Sequence, residues 1–188
     1  MRQRPDIVMV GEIRDFETAD IAIKASLTGQ LILSTLHTND SAGTITRLID
    51  MGVEPFLVAS SLVLASAQRL MRKICPNCKE TIDIPDAVLK RVAFDPKALN
   101  LTQKPIFSKG KGCAKCNNTG YYGRIAILEA LLMDDTVRDM IMKKKSSDEI
   151  KEYALHNLKM PTLRDNAMKN FAYGITSLEE VLRVTSED

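Results

Sequence analysis

Aromatic side chains are scarce in this sequence: it has no tryptophan, and aromatic residues make up 5% of its 188 residues. Such scarcity argues against a surface that stacks bases or sugars on aromatic rings. The sequence also has no apolar run of the roughly 18 to 20 residues that a membrane-spanning helix needs. No apolar h-region follows Met1, so we expect no secretory signal peptide. We therefore expect a cytosolic protein.

An excess of charge of one sign is missing as well. The 26 lysines and arginines nearly balance the 24 aspartates and glutamates, which leaves a formal net charge of +2. A protein that binds mainly to nucleic-acid phosphates is normally far more basic, so we expect no nucleic-acid partner. With 45% hydrophobic and 27% charged residues, the chain has the composition of a globular protein with one good core or two small ones.

Cysteine is rare too, but the four that occur form two Cys-x2-Cys pairs separated by 34 residues. Two such pairs are the sequence form of a zinc site in which each short loop supplies two thiolates. Because four protein ligands leave no position for water, such a site is structural. Four free thiols or a redox-active pair remain the alternatives. The predicted ligands are Cys75, Cys78, Cys113 and Cys116, and the glycines expected to give the second loop backbone freedom are Gly110, Gly112 and Gly120.

Strands and helices alternate at the start of the chain. Two continuous apolar runs, at 7–10 and 31–36, have the length of strands. A run that does not alternate with polar residues predicts a parallel strand that is buried on both faces. Helical spacing over 21–27 lies between the two runs, and Gly29 is expected to end that helix.

The same alternation continues to the first cysteine pair. Apolar spacing over 45–49 predicts a second helix, with Asn39 or Asp40 as its N-cap. A proline in the favoured first turn begins a third helix, expected over 55–64, and a strand is expected over 69–74. This order predicts right-handed βαβ units and a parallel sheet, hence an α/β fold.

The rest of the chain divides into three parts by pattern. Residues 75–118 have poor periodicity and read as a zinc-held subdomain, and 119–133 contain a strand at 125–132 that returns to the core. Residues 134–188 read as short C-terminal helices, because polar capping pairs precede their apolar stripes. The expected capping boxes are Ser146 with Glu149, Ser177 with Glu180, and a weaker pair, Thr162 with Asp165.

Polar residues follow the first two predicted strands. Glu12 and Arg14 come after the first strand, and His37 and Thr38 come after the second. Parallel strands end at one edge of a sheet, where ligands bind in open α/β folds, so we expect Glu12 and His37 to be about one strand spacing apart. A carboxylate there can accept a proton from water, and an imidazole beside it can stabilise a phosphate. A turn residue and a buried histidine are the structural alternatives.

Three segments in this order resemble the secretion-superfamily ATPases. Residues 6–15, with the sequence DIVMVGEIRD, look like the Walker B segment of that family, and residues 34–39, STLHTN, look like its histidine box. The cysteine quartet followed by the GYYGR of 120–124 resembles the zinc module of the assembly branch. That branch contains the type II secretion motors of the general secretion pathway protein E family and the type IV pilus extension ATPases. Retraction ATPases lack the four cysteines.

The resemblance implies a partial RecA-like P-loop core over residues 1–74 of a hexameric motor. Such a motor hydrolyses Mg-ATP to assemble pilins or pseudopilins at the cytoplasmic face of the inner membrane, where it binds platform and adaptor proteins. Glu12 would be the catalytic glutamate, and His37 would lie near the γ-phosphate. Arg2, Arg14 and Thr38 would lie at the nucleotide or at a subunit boundary.

The P-loop of that family is missing from this sequence. No G-x-x-x-x-G-K-[ST] occurs in the 188 residues, and its backbone N–H groups and lysine normally supply most of the nucleotide affinity. In the family the P-loop strand lies between the strands expected at 31–36 and 69–74. We therefore expect a C-terminal motor fragment that is inactive alone. The alternative is a stand-alone zinc-containing interaction module that catalyses nothing.

Overall fold

The computed structural model describes residues 5–186, which divide into two compact units. Unit 1 contains 5–67 and 130–160, and unit 2 contains 68–129 and 161–186. Helices accompany a parallel strand pair, so the predicted α/β class is confirmed. The four-part division by function stays a prediction.

The chain folds into short helices and strands, and none of the helices within 5–186 is long and apolar enough to cross a membrane. In chain order the elements are β1 (Ile7–Val10), α1 (Phe16–Leu27), β2 (Leu31–Ser34), α2 (Gly43–Asp50), α3 (Pro55–Ser61), β3 (Leu64–Ile74), β4 (Lys79–Thr81), α4 (Asp86–Arg91), β5 (Ser108–Gly110), β6 (Tyr121–Leu132), α5 (Asp135–Met142), α6 (Ser147–His156), α7 (Leu163–Ala172) and α8 (Leu178–Val184).

Strands β1 and β2 form the parallel pair that the sequence predicts. Their register runs from Ile7 opposite Leu31 to Val10 opposite Ser34. The expectation that both faces are buried is wrong, because alternate side chains are exposed on one face. Met9 is 80% exposed and Leu33 is 46% exposed, and no element among residues 5–186 covers them. The strand β2 is also two residues shorter than predicted.

The helices of unit 1 begin and end at positions that partly differ from the prediction. Asp15 caps α1, since its carboxylate accepts a hydrogen bond from the Thr18 backbone N–H at 2.8 Å. The predicted N-cap of α2 is wrong, because Ala42 occupies that position. Asp40 nevertheless accepts a hydrogen bond from the Gly43 N–H at 2.7 Å.

The third helix is shorter, and the following strand longer, than the sequence predicts. Helix α3 ends at Ser61, and β3 begins at Leu64. The expected helical assignment of 62–64 is wrong because Ala65 and Ala67 are buried at the alternating spacing of a strand. Strand β3 pairs with β6 in a separate sheet and does not extend the β1–β2 pair.

Residues from both ends of the chain share the hydrophobic core of unit 1. Ile45 and Val58 of the N-terminal helices are fully buried, and so are Val137 of α5 and Ile150 of α6. These side chains belong to one cluster, so α5 and α6 are part of the same folding unit as β1 and β2.

Unit 2 contains a short antiparallel strand pair and a group of three aromatic rings. Strand β4 pairs with β5, with Lys79 opposite Gly110. The ring of Phe107 stacks on Phe171 of α7 at 4.6 Å between centroids, and Phe94 meets both rings edge-on. Residues 75–118 therefore have an apolar core, to which a C-terminal helix contributes.

Two of the three predicted capping boxes are confirmed, at Ser146 with Glu149 and at Thr162 with Asp165. At the third site the Ser177 hydroxyl accepts the Glu180 N–H, but the Glu180 carboxylate does not return the bond. It accepts hydrogen bonds from Arg72 and Arg183 instead, at 2.6–2.9 Å.

Glu180 is fully buried among these two arginines. Although burial raises the pKa of Glu180, hydrogen bonds from Arg183 and Arg72 outweigh it and lower the pKa to about 2. The Arg72 guanidinium also lies 4.2 Å from the centre of the Tyr121 ring. One carboxylate thus joins α8 to the segments that flank the cysteines.

We predict that Glu180→Gln lowers the free energy of unfolding by about 1.5–3 kcal/mol near neutral pH, because an amide cannot pair with two guanidinium groups. The native pKa lies below its ordinary value, so the pairs stabilise the fold above about pH 5 and lose that effect as the pH falls toward 2. Urea unfolding, followed by circular dichroism near neutral pH and again near pH 2, measures the free energy of unfolding of both proteins. The exposed neighbour provides the control Glu179→Gln, and an equal loss at both pH values would contradict the ion-pair role.

Candidate functional site

The segments that follow β1 and β2 are joined by two hydrogen bonds. The Ile13 backbone N–H donates to the Thr35 carbonyl at 3.0 Å, and the Thr35 hydroxyl donates to the Gly11 carbonyl at 2.7 Å. These bonds continue the strand pairing beyond the last ladder residue. The residues after both strands are therefore held side by side.

This arrangement brings Glu12 and His37 together, as the order of the strands predicts. Glu12 Oε1 contacts His37 Nε2, and Glu12 Oε2 accepts a hydrogen bond from Arg14 Nε at 2.5 Å. The Glu12 side chain is 20% exposed, whereas His37 is 86% exposed. The alternative of a buried structural histidine is therefore wrong.

One carboxylate oxygen of Glu12 lacks a hydrogen bond. Oε1 is shielded from solvent, and within residues 5–186 it accepts none, since its contact with His37 does not have hydrogen-bond geometry. Buried acceptors are normally satisfied, so an orphaned carboxylate oxygen is a position where a polar ligand or water can bind. The arrangement can hold a water molecule next to a base and a solvent-exposed imidazole.

The remaining predicted site residues lie at different places. Arg14 is 74% exposed and contacts Glu12. The Thr38 hydroxyl pairs with the Thr44 hydroxyl in the first turn of α2 at 3.2 Å, so it is bonded away from the carboxylate. Arg2 lies outside the described residues.

The four cysteines form one cluster in unit 2. Their sulfur atoms all lie within 4.8 Å of one another, and Cys75–Cys113 and Cys78–Cys116 are each 3.9 Å apart. Four sulfurs about 2.3 Å from a central zinc would be about 3.8 Å apart, so the cluster fits a tetrahedral metal ion.

Backbone packing places the two cysteine loops together. The Cys75 N–H donates to the Gly120 carbonyl at 2.9 Å, and the Lys111 N–H donates to the Cys78 carbonyl at 3.0 Å. Gly112 and Gly120 have positive φ, as predicted, but Gly110 is needed for another reason. A Cβ at Gly110 would lie 2.1 Å from the Gly120 carbonyl oxygen, so its role is close backbone approach.

The thiols differ in their acidity. The Asn77 amide, at 3.5 Å, is the largest of the effects that lower the pKa of Cys113 to about 6. Burial raises the pKa of Cys78 to about 12. The thiolate is the form of cysteine that binds a metal ion. The lowered pKa of Cys113 favours that form, whereas Cys78 would lose its proton when a metal ion binds.

Two contributors to these sites were missed by sequence reasoning. Thr35 lies near the end of an apolar run, directly after the last ladder pair. A hydroxyl at that position is the sequence feature that could have predicted its bond to the Gly11 carbonyl. Asn77 lies between the two cysteines of a Cys-x2-Cys loop. A side-chain amide at that position is close enough to the cluster to donate a hydrogen bond to a sulfur.

Sequence comparisons identify relatives over the whole chain. A family model described as type II/IV secretion system protein matches residues 1–183. The chain is 47% identical over 188 residues to type II secretion system protein E of Pseudomonas aeruginosa and 48% identical over 187 residues to type II secretion system ATPase E of Vibrio cholerae. It is also 48% identical over 187 residues to type IV pilus assembly ATPase PilB of Thermus thermophilus. The matches cover all of this chain but 36%, 36% and 21% of these relatives.

Solved structures with a similar fold include the pilus retraction motor PilT with bound ADP and the ATPase DotB of Legionella pneumophila. Both have a TM-score of 0.63 and 22% sequence identity. The similarity covers 99% and 100% of this chain, and 41% and 40% of those chains. At this identity the comparison shows a shared fold.

We predict that Thr35→Val loosens the junction after β1 and β2, because the methyl group cannot donate to the Gly11 carbonyl. The loss of one neutral hydrogen bond should accelerate hydrogen exchange at the Ile13 amide by about fivefold. The control Thr46→Val removes a hydroxyl that bonds within its own helix turn, to the Gly43 carbonyl. Unchanged exchange at Ile13 would show that the ladder alone holds the two segments together.

Proposed function

Because the chain belongs to the type II/IV secretion system protein family, we propose that it is the C-terminal part of a motor ATPase for pilin or pseudopilin assembly. Its relatives carry the names of type II secretion and type IV pilus assembly ATPases. The observation that carries the proposal is the contact of Glu12 with His37 beyond the parallel strand pair. Within this assignment Glu12 and His37 are the residues of the hydrolytic site.

Glu12 acts as the general base in the proposed reaction. Its Oε1 accepts no hydrogen bond within residues 5–186 and is the proposed acceptor for the attacking water, while Arg14 holds the other oxygen. The carboxylate orients the water and accepts its proton as the water attacks the γ-phosphate. His37 contacts Oε1 and is largely exposed, so its imidazole is accessible to a phosphate and can donate a hydrogen bond to phosphate oxygens.

The phosphate-binding loop comes from the remaining part of the motor. The 188 residues contain no P-loop sequence, and this chain spans about a third of the two type II secretion relatives. The exposed apolar face of β1 and β2 is the surface that the missing part of the core would cover, because open parallel sheets are packed on both faces. In that setting Mg²⁺ neutralises charge on the β- and γ-phosphates.

The finer properties of the whole motor follow the same assignment. We expect a homohexamer in which Arg2, Arg14 and Thr38 lie at the nucleotide or at a subunit boundary. We also expect binding to platform and adaptor proteins at the cytoplasmic face of the inner membrane, and no nucleic-acid partner.

The cysteine cluster is proposed to hold one structural zinc ion. Its sulfur spacings fit a tetrahedral ion, and four sulfur ligands leave no open position for a substrate. The amide of Asn77 favours the thiolate of Cys113, which is the ligand form. Zinc would hold the loops between β3 and β4 and between β5 and β6 together.

We predict one zinc ion per chain in freshly purified protein, measured by elemental analysis. Cys113→Ser should lose the ion and accelerate hydrogen exchange in residues 75–118, because structural zinc binding contributes on the order of 10 kcal/mol. Exchange in β2 should not change. Lys115→Ser alters an exposed side chain in the same loop and serves as the control. Much less than one zinc per chain in the wild type would refute a zinc site.

We predict that Glu12→Gln strongly slows hydrolysis but preserves nucleotide binding. The assay uses a full-length motor in which this chain replaces the matching part of the Vibrio cholerae relative. Loss of a general base typically reduces kcat by about 10²- to 10⁴-fold, whereas ground-state binding changes little. His37→Ala should reduce turnover less. Glu17→Gln, an exposed carboxylate on α1, is the control.

The same assay separates the motor from a stand-alone interaction module, which the absent P-loop favours for the isolated chain. The 188-residue chain should neither bind ATP at micromolar concentrations nor hydrolyse it, and the full-length motor should do both. An inactive wild-type motor would favour the module. Wild-type turnover by Glu12→Gln would mean that the carboxylate is only a turn residue.

A further inference from the structure

The loop between β2 and α2 contains His37 and Asp40, and the Asp40 carboxylate is bonded to two helices. Asp40 Oδ1 accepts the Gly43 N–H at 2.7 Å, at the start of α2. Asp40 Oδ2 accepts a hydrogen bond from Lys151 Nζ of α6 at 3.0 Å. The residue three positions after His37 is therefore bound to α2 and to α6 at once.

This ion pair is more sheltered than its neighbours on α5. The side chains of Asp40 and Lys151 are each 22% exposed, whereas those of Lys143 and Asp139 are 63% and 57% exposed. Charges that are partly removed from water attract more strongly and are screened less by salt. The Asp40–Lys151 pair therefore constrains the loop more than a surface pair would.

Packing around Asp40 leaves little freedom at this end of the loop. A Cβ at Gly43 would lie 2.9 Å from Asp40 Oδ1, so a side chain at position 43 would require the carboxylate to shift. Ser41 and Ala42 are fully buried, and Ser41 Oγ lies 3.8 Å from Met160 Sδ. The loop is therefore bonded to α6 through Lys151 and packed against the segment that follows α6.

We infer that Lys151 is a positioning residue for His37, and that helix α6 sets the place of the histidine through Asp40. The inference rests on the proposed function, because it assigns Lys151 a role in the hydrolysis attributed to Glu12 and His37. The other end of the loop is fixed by the bonds of Thr35 to Gly11 and Ile13. His37 lies between these two anchors, so loss of the Asp40 anchor changes the approach of the imidazole to a phosphate.

The first test measures the loop in the 188-residue chain by hydrogen exchange. Lys151→Met keeps the apolar stem of the side chain and removes its charge, so exchange should accelerate by about fivefold over 37–44 and stay unchanged in β1. Lys143→Met removes an exposed ion pair on α5 and is the matched control. In an Asp40→Asn background, Lys151→Met should accelerate exchange over 37–44 much less than it does in the wild type, because the Asp40 charge is already gone.

The second test measures turnover in the full-length chimeric motor. Lys151→Met should lower kcat by about 10- to 100-fold with KM changed less than twofold, because misplacement of a reacting group affects the transition state. Lys151→Arg retains a cation and should restore most of the turnover. Lys143→Met should turn over at the wild-type rate.

Each outcome decides between the alternatives. Slower turnover without faster exchange over 37–44, or faster exchange with normal turnover, would overturn the inference. A turnover loss that Lys151→Arg does not restore would also overturn it, because the charge would then be irrelevant. An inactive wild-type chimera would overturn the proposed function, and the exchange data would still decide whether Lys151 holds the loop.

Discussion

The parallel pairing of β1 with β2 is the constraint on which the candidate site depends. Four residue pairs fix the register, and the bonds of Thr35 to Gly11 and Ile13 carry it past the last pair. A slip by one residue would turn alternate side chains to the opposite face and separate Glu12 from His37. The contact of Glu12 with His37 therefore depends on a short ladder that side-chain and backbone hydrogen bonds extend past its last pair.

The two cysteine loops of unit 2 depend on a close approach of their backbones. Gly110 and Gly120 lie so near to each other that neither tolerates a side chain there, and this proximity brings the two cysteine pairs into one cluster. The stacked rings of Phe107 and Phe171 add an apolar contribution. Zinc, where bound, would thus stabilise loops within a subdomain that also has a core of its own.

The exposed apolar face of β1 and β2 distinguishes this chain from an isolated globular domain. Met9 is 80% exposed in a strand whose other face packs on a core. Exposed apolar surfaces of this kind are typical of sites that another protein segment covers. The share of the relatives that the chain spans agrees with this view. The proposed motor gives that face a function, because the part of the core with the P-loop would lie next to the strand ends.

Features that depend on local spacing could be predicted from residue order alone. The cysteine pairs, the apolar runs of β1 and β2, and the polar residues after them follow from residue order, because parallel strands end at one edge whatever surrounds them. Contacts between residues far apart in the sequence depend instead on how the chain packs. Glu180 was expected to complete a capping box, but Arg72 outcompetes the local backbone bond, and Asp40 meets Lys151 from 111 residues away. Strand β3 likewise pairs with β6. The local sequence pattern predicts a strand but not its partner, because strand pairing depends on how side chains pack in the folded chain.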